Sequence, residues 1–264
     1  MSTANQAMFE LGRMTTFEAE ERFKQVEAAI IPVGSTEQHG CNMTLDTDTR
    51  LAHEVANKIA ERMYPRLLVL PPIPVGVSYH HMDFAGSMTL SPATLQAVVF
   101  DYIKSMKRHG IKRFLLMNGH GGNQTTLSVA STVAKHELGV QIANIFYWNL
   151  ASEEISRKVK SVRYGHACEA EASFGLYLDP GIVRADDLRP ADMLDYPMVF
   201  TQFEPGPRVD YPYSWNQLTK DGSFGDARDA SLQLGREIID LVILRMERFI
   251  EDFLKLDLVE AEST

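Results

Sequence analysis

Four times between residues 29 and 146, a short apolar run stops on a glycine, a proline or a polar cluster and is followed by helical sequence. The runs are 29–33, 67–70, 113–117 and 140–146. A helix between two strands forces a crossover, so the strands lie parallel, with right-handed connections and helices on both faces. The helix signals agree. Thr15-Thr16-Phe17-Glu18 reads as a capping box opening a helix to about residue 27. Leu51, Val55, Ile59 and Met63 recur every fourth residue and make one apolar stripe. Ser91-Pro92 is an N-cap and first-turn proline, ahead of a helix that ends at Gly110. A long amphipathic helix covers about residues 229–256. No linker or internal repeat interrupts the chain, which predicts one α/β domain over residues 1–264 with a mostly parallel sheet.

The polar turns after these runs carry the chemistry. Val33-Gly34-Ser35-Thr36-Glu37-Gln38-His39-Gly40 follows the first run, with Asp48 shortly after. On extended chain, positions i and i+2 share one side about 6.5 to 7 Å apart. Glu37 and His39 are thereby placed either to satisfy each other in a polar turn or to bind a divalent metal. In open α/β sheets, ligands bind at the carboxyl ends of the strands. His120 lies at the same edge, in Asn118-Gly119-His120-Gly121-Gly122-Asn123. No GxxxxGK[ST] or GxGxxG motif is present, which argues against a nucleotide there. Gly165-His166-Ala167-Cys168-Glu169-Ala170-Glu171 forms the next dense cluster. On a helix, Glu169 and Glu171 diverge by roughly 200°, so they do not share one job. His166, at the helix mouth, has the side chain suited to proton transfer near neutral pH. Glu37, His39, Asp48, His120 and Glu169 together are five N/O ligands without a thiolate, a set suited to two divalent ions sharing a carboxylate.

The rest of the chain narrows the partners. A formal net charge of −9 argues against nucleic acid and anionic membranes. No apolar run reaches the roughly 18 residues that span a bilayer. The first six residues lack the apolar core of a signal peptide, and Cys41 and Cys168 form no CxxC pair, so a reducing cytoplasm is the expected location. Residues 184–225 are rich in Pro, Asp, Tyr and Gly without periodicity, a length of irregular chain that is expected to cover a site.

Glu37-Gln38-His39-Gly40 with Asp48, Asn118 to Asn123, and His166-x-x-Glu169-x-Glu171 resemble the signature blocks of the creatininase (creatinine amidohydrolase) family. Phe224-Gly225-Asp226 and the final helix also fit. The resemblance implies an α-β-α sandwich, two divalent ions per chain (zinc, manganese or iron), a small-molecule substrate and a homo-oligomer, often a hexamer. It implies that Glu37, Asp48 and His120 hold one ion, and that His39, Asp48 and a further glutamate hold the other. Creatininase takes that glutamate from the position that is Gly122 here, so Glu169 is expected to replace it. His166 then corresponds to the proton-transfer histidine, oriented by Glu171. Trp148 falls where the family places an aromatic near the substrate, and Cys41, Asn42 and His81 fall at the site mouth. Cys41-Asn42, His80-His81 and Phe84-Ala85-Gly86-Ser87 depart from the common family pattern and argue against creatinine itself. Cyclic-amide opening is the expected activity. A formamide, a modified peptide, a cyclic ketone of inositol breakdown, or a scaffold without turnover are the alternatives within the family.

Overall fold

The computed structural model describes residues 8–161, 163–195, 209 and 211–258. Its centre is a parallel four-stranded sheet in the order β2-β1-β3-β4. The strands are β1 (Ala28–Val33), β2 (Leu67–Val69), β3 (Arg113–Asn118) and β4 (Gln141–Phe146). Around it lie α1 (Thr16–Phe23), α2 (Thr47–Arg62), α3 (Pro92–Lys107), α4 (Gln124–Leu138), α5 (Ser152–Lys158), α6 (Glu169–Leu178) and α7 (Leu232–Lys255).

Alternation along the strands splits the interior into two cores. Ala28, Ile30, Leu115 and Met117 face α2, α6 and α7. Ala29, Ile31, Val33, Phe114 and Leu116 face α3 and α4. Both faces are covered, which makes the three-layer α/β sandwich expected from the alternation. Each fully buried Ile or Leu here contributes roughly 1.5–3 kcal/mol relative to exposure.

The local signals hold with shifts at the ends. Thr15 caps α1, accepting from Glu18 N at 3.4 Å, and its own N–H donates to Glu18 at 2.7 Å. The helix stops at Phe23, because the chain must turn to pair Glu27 N–H with Arg66 O and enter β1. α3 ends at Lys107, and Gly110 follows in a short turn at φ +90°.

Residues 196–208 and 210 of the irregular 184–225 stretch lie outside the described residues. Its described parts carry short 3₁₀ turns, such as Trp215–Gln217, and isolated bridges, such as Met193 to Thr219. Among the described residues no helix is long and apolar enough to cross a membrane.

Candidate metal centre

The sheet register brings the predicted groups to one edge. Val33 of β1 pairs with Asn118 of β3, so the loop with Glu37 and His39 leaves beside the loop with His120. Asp48 rides on the first turn of α2, where the helix dipole favours a carboxylate. Glu37, His39, Asp48, His81, His120, His166 and Glu171 are all at most 6% exposed.

Asp48 lies between two imidazoles. Its Oδ1 is 3.3 Å from His39 Nε2, and its Oδ2 is 3.2 Å from His120 Nδ1. Glu37 Oε1 joins the His120 side at 3.1 Å. Glu171 Oε2 joins the His39 side at 3.8 Å.

Backbone carbonyls fix the rings. His120 Nε2 donates to Val77 O at 3.1 Å, and His39 Nδ1 donates to Glu37 O at 3.2 Å. In each ring the other nitrogen is left to carry a proton or a metal, the arrangement that metal-binding histidines adopt. His166 Nε2 donates to Gln38 O at 2.6 Å, which turns Nδ1 toward Glu37 Oε1 at 3.9 Å. Ser78 Oγ donates to Glu37 Oε2 at 2.7 Å and is 2.6 Å from Ser35 Oγ.

His39 Nε2 and Asp48 Oδ2 are buried without a well-formed hydrogen bond. Buried polar atoms normally have a partner. Two such atoms, each able to offer a lone pair from within a cage of carboxylates and imidazoles, fit a divalent cation. Glu37, His39 and Asp48 place donor atoms within 4.8 Å of one another, as do His39, His166 and Glu171.

Without metal, protons serve the same charge. Burial opposes a charge on His120, but Glu37 and Asp48 outweigh it and push its pKa up to about 10. Burial likewise opposes a charge on His39, yet Asp48 and Glu171 hold its pKa well above the ordinary value. Burial, aided by the charge on His39, drives His166 well below it. Burial and His166 do the same to His81, and burial and His120 lower His80 to about 4.

A pH prediction follows by linkage. His39 and His120 have raised folded pKa values. Their stabilisation is complete below the unfolded value near 6.5 and is lost as pH rises toward about 10. His80, His81 and His166 have lowered values, so stability also falls as pH drops below about 6.5. Chelated protein should therefore unfold at the highest temperature near neutrality, and added zinc or manganese should flatten the alkaline limb. A midpoint that climbs steadily to pH 10 in chelator would contradict this assignment of charge.

Several expected residues sit elsewhere. Glu169 is buried, but its carboxylate accepts from Lys160 N at 2.8 Å and is not in the cage. Glu171, expected to orient His166, instead faces His39 and accepts from Ala167 N at 2.6 Å. Ala167 at φ +50° produces the turn that separates them, and the Gln38 carbonyl orients His166. Gly122 leaves no room for a side chain, because a Cβ there would lie 2.3 Å from Val77 O. Trp148 packs edge-on against Phe174 at 5.1 Å, at the core that the sheet shares with α2, α6 and α7. Asn42 spends its amide on Ala167 O, Arg189 O and Arg189 N, so it staples loops and has no group left for a ligand. Exposed Cys41 bonds to the neighbouring Asn42 oxygen, at 3.7 Å. His81 faces Glu37 Oε1 at 3.3 Å and the Gln38 amide at 2.7 Å, which makes it a neighbour of the cage.

Other residues at the centre carry little or no sequence signal. Ser35 and Ser78 have no distinctive spacing. Tyr147 is fully buried, and burial, with Glu171 and Asp48 nearby, raises its pKa well above normal. Trp215 stands 4.8 Å from His81 and 5.1 Å from His166, ring to ring. Its only sequence signal is an aromatic in an irregular stretch.

The family profile for creatininase, described as creatinine amidohydrolase, matches residues 12–250. A mycofactocin precursor peptide peptidase of Mycobacterium ulcerans (strain Agy99) is 38% identical over 125 residues, 45% of this chain and 48% of that protein. The match thus spans about half the length of that curated relative. Creatinine amidohydrolase of Pseudomonas putida is 27% identical over 252 residues, 88% of this chain and 92% of the relative. A 3-dehydro-scyllo-inosose hydrolase of Thermotoga maritima (strain ATCC 43589 / DSM 3109 / JCM 10099 / NBRC 100826 / MSB8) is 25% identical over 261 residues, 92% of this chain and 82% of the relative. A crystal structure of creatininase superposes with a TM-score of 0.80 at 26% identity, covering 94% of this chain and 98% of that one. Further solved creatininases, at TM-scores of 0.75 and 0.74, are described as a Zn-Zn type and an Mn form. The profile match and the shared fold show that the chain belongs to the creatininase family of metal-binding hydrolases.

Proposed function

We propose that the chain holds two divalent ions, zinc or manganese, and hydrolyses the C–N bond of a small cyclic amide. The observation that carries this is Asp48, whose two oxygens face His39 and His120 separately. Glu37, Asp48 and His120 would hold one ion; His39, Asp48 and Glu171 would hold the other. Bound there, divalent ions supply Lewis acidity, acidifying water and polarising a carbonyl.

The protein's own groups manage the proton. His166 is pinned through Nε2 to Gln38 O and is kept neutral by burial, so Nδ1 is free to take a proton. It can return that proton to the leaving nitrogen, which as a free anion is far too basic to depart. Ser78 holds Glu37 from behind and limits its rotation. Trp215 closes the centre at van der Waals range of His81, which fits a small ring better than a folded chain. A peptide amide is the second reading, favoured by the 38% identity to the Mycobacterium ulcerans peptidase.

Metal analysis with a hydrolysis screen tests the proposal. Lactams, hydantoins, formamides, short peptides and cyclic ketones separate the substrate classes. Glu171→Gln should lower the occupancy of one ion, whereas Glu169→Gln should leave both in place. Equal metal content in Glu171→Gln and parent, or loss from Glu169→Gln alone, would overturn the assignment of Glu171.

A further inference from the structure

Every donor group of the centre is buried, and the Trp215 ring packs against His81 and His166 beside it. The covering element packs as a unit of its own. Trp215, Leu218 and Phe224 form a small cluster of their own, edged by Phe84, Met193 and Tyr213, apart from the two main cores. Segments with few buried apolar contacts are the ones that open locally. Within this roof, Gly222 O is a meeting point: the Trp215 indole N–H and the Gln38 amide both donate to it, Gln38 at 2.9 Å.

Gln38 reaches the centre with the same amide. Its Oε1 accepts from Gly40 N at 2.9 Å, which fixes which end is oxygen. Its Nε2 then donates to Gly222 O and to His81 Nδ1, the latter at 2.7 Å. A His81 ring accepting at Nδ1 carries its proton on Nε2, 3.3 Å from Glu37 Oε1. The Gln38 main chain meanwhile orients His166. The fit at the roof is tight: Gly222 stands at φ +94°, and a Cβ there would lie 1.9 Å from Gln38 Oε1.

We propose that Gln38 is a positioning residue that latches roof residues 213–222 over the centre and, through the same amide, sets His81 against Glu37. Closing the roof and ordering the Glu37 end are then one event. Opening breaks the bond that the Gln38 amide donates to Gly222 O and leaves that amide held by Gly40 N and His81 Nδ1. The latch rests on the hydrolase reading only for its kinetic consequence.

The experiment uses full-length, metal-loaded protein carrying Trp148→Phe, which leaves Trp215 as the single tryptophan of the two in the sequence. Acrylamide quenching of Trp215 emission, measured without substrate, reports the roof. Gln38→Met keeps the side chain's bulk and removes its hydrogen bonds. Gln38→Glu keeps the acceptor for Gly40 N and removes the donors. In both, the quenching constant should rise about threefold or more, as expected for local opening. Metal content should stay at the parental level, and kcat and KM should change together, as for other gating residues. Either variant with parental quenching and parental kinetics would overturn the latch, because a space-filling role predicts that result for Gln38→Met. If Gln38→Met does not fold, Gln38→Glu decides alone. Because quenching is read without substrate, a failed substrate screen leaves this result standing, and an unlatched roof leaves the hydrolase reading intact.

Discussion

Asp48→Ala should strip both ions from the protein and abolish turnover. Each oxygen of this carboxylate faces a different histidine, at 3.3 and 3.2 Å, so one substitution removes a ligand from both proposed positions. What remains is a pair of ligands on each side, Glu37 with His120 and His39 with Glu171. Lewis-acid stabilisation is worth several kcal/mol, and each 1.4 kcal/mol is a factor of ten, so the loss should be at least about 10³-fold in kcat/KM. The fold should survive. Asp48 sits in the first turn of α2, and the helix-dipole interaction lost with it is about 0.3–1 kcal/mol. Elemental analysis alongside circular dichroism checks both halves. A well-folded Asp48→Ala protein that retains two ions per chain would rule out the bridge.

His166→Ala should behave in the opposite way with respect to metal. The ring is held by Gln38 O and is not needed to complete either proposed ligand set. Metal content should therefore stay at the parental level while kcat falls roughly 10²- to 10⁴-fold, the range for removing a general acid–base. An activated substrate, whose leaving nitrogen departs without a proton, should lose less. Glu171→Gln should not mimic this pattern, because Glu171 faces His39 and its loss should appear as missing metal. Turnover of an unactivated cyclic amide by His166→Ala at the parental rate, with full metal content, would refute the shuttle.

The layered fold and most of the centre are legible in the local pattern of the chain. Strand and helix periodicities are local, and a chain that alternates them has few topologies open to it. Glu37, His39 and His120 follow apolar runs directly, so they had to emerge at the carboxyl edge of the sheet. Asp48 had to begin the helix that follows the first of these loops.

The choice between Glu169 and Glu171 is of another kind. Two residues apart on a helix, they point about 200° apart, and only the rotation of α6 decides which one faces the centre. That rotation is set by long-range packing, with Ala172 and Phe174 buried in the core shared with α2 and α7. Trp148 and Trp215 divide for the same reason: one packs edge-on against Phe174, while the other is carried over His81 by a stretch without periodicity. Ser35 and Ser78 meet across 43 positions of sequence, and Gln38 and Gly222 across 184. Sequence alone determined which groups stand at the sheet edge, because that depends on neighbours along the chain. Only the tertiary structure decided which carboxylate turns inward and what closes the centre, because those depend on contacts between segments that no local pattern encodes.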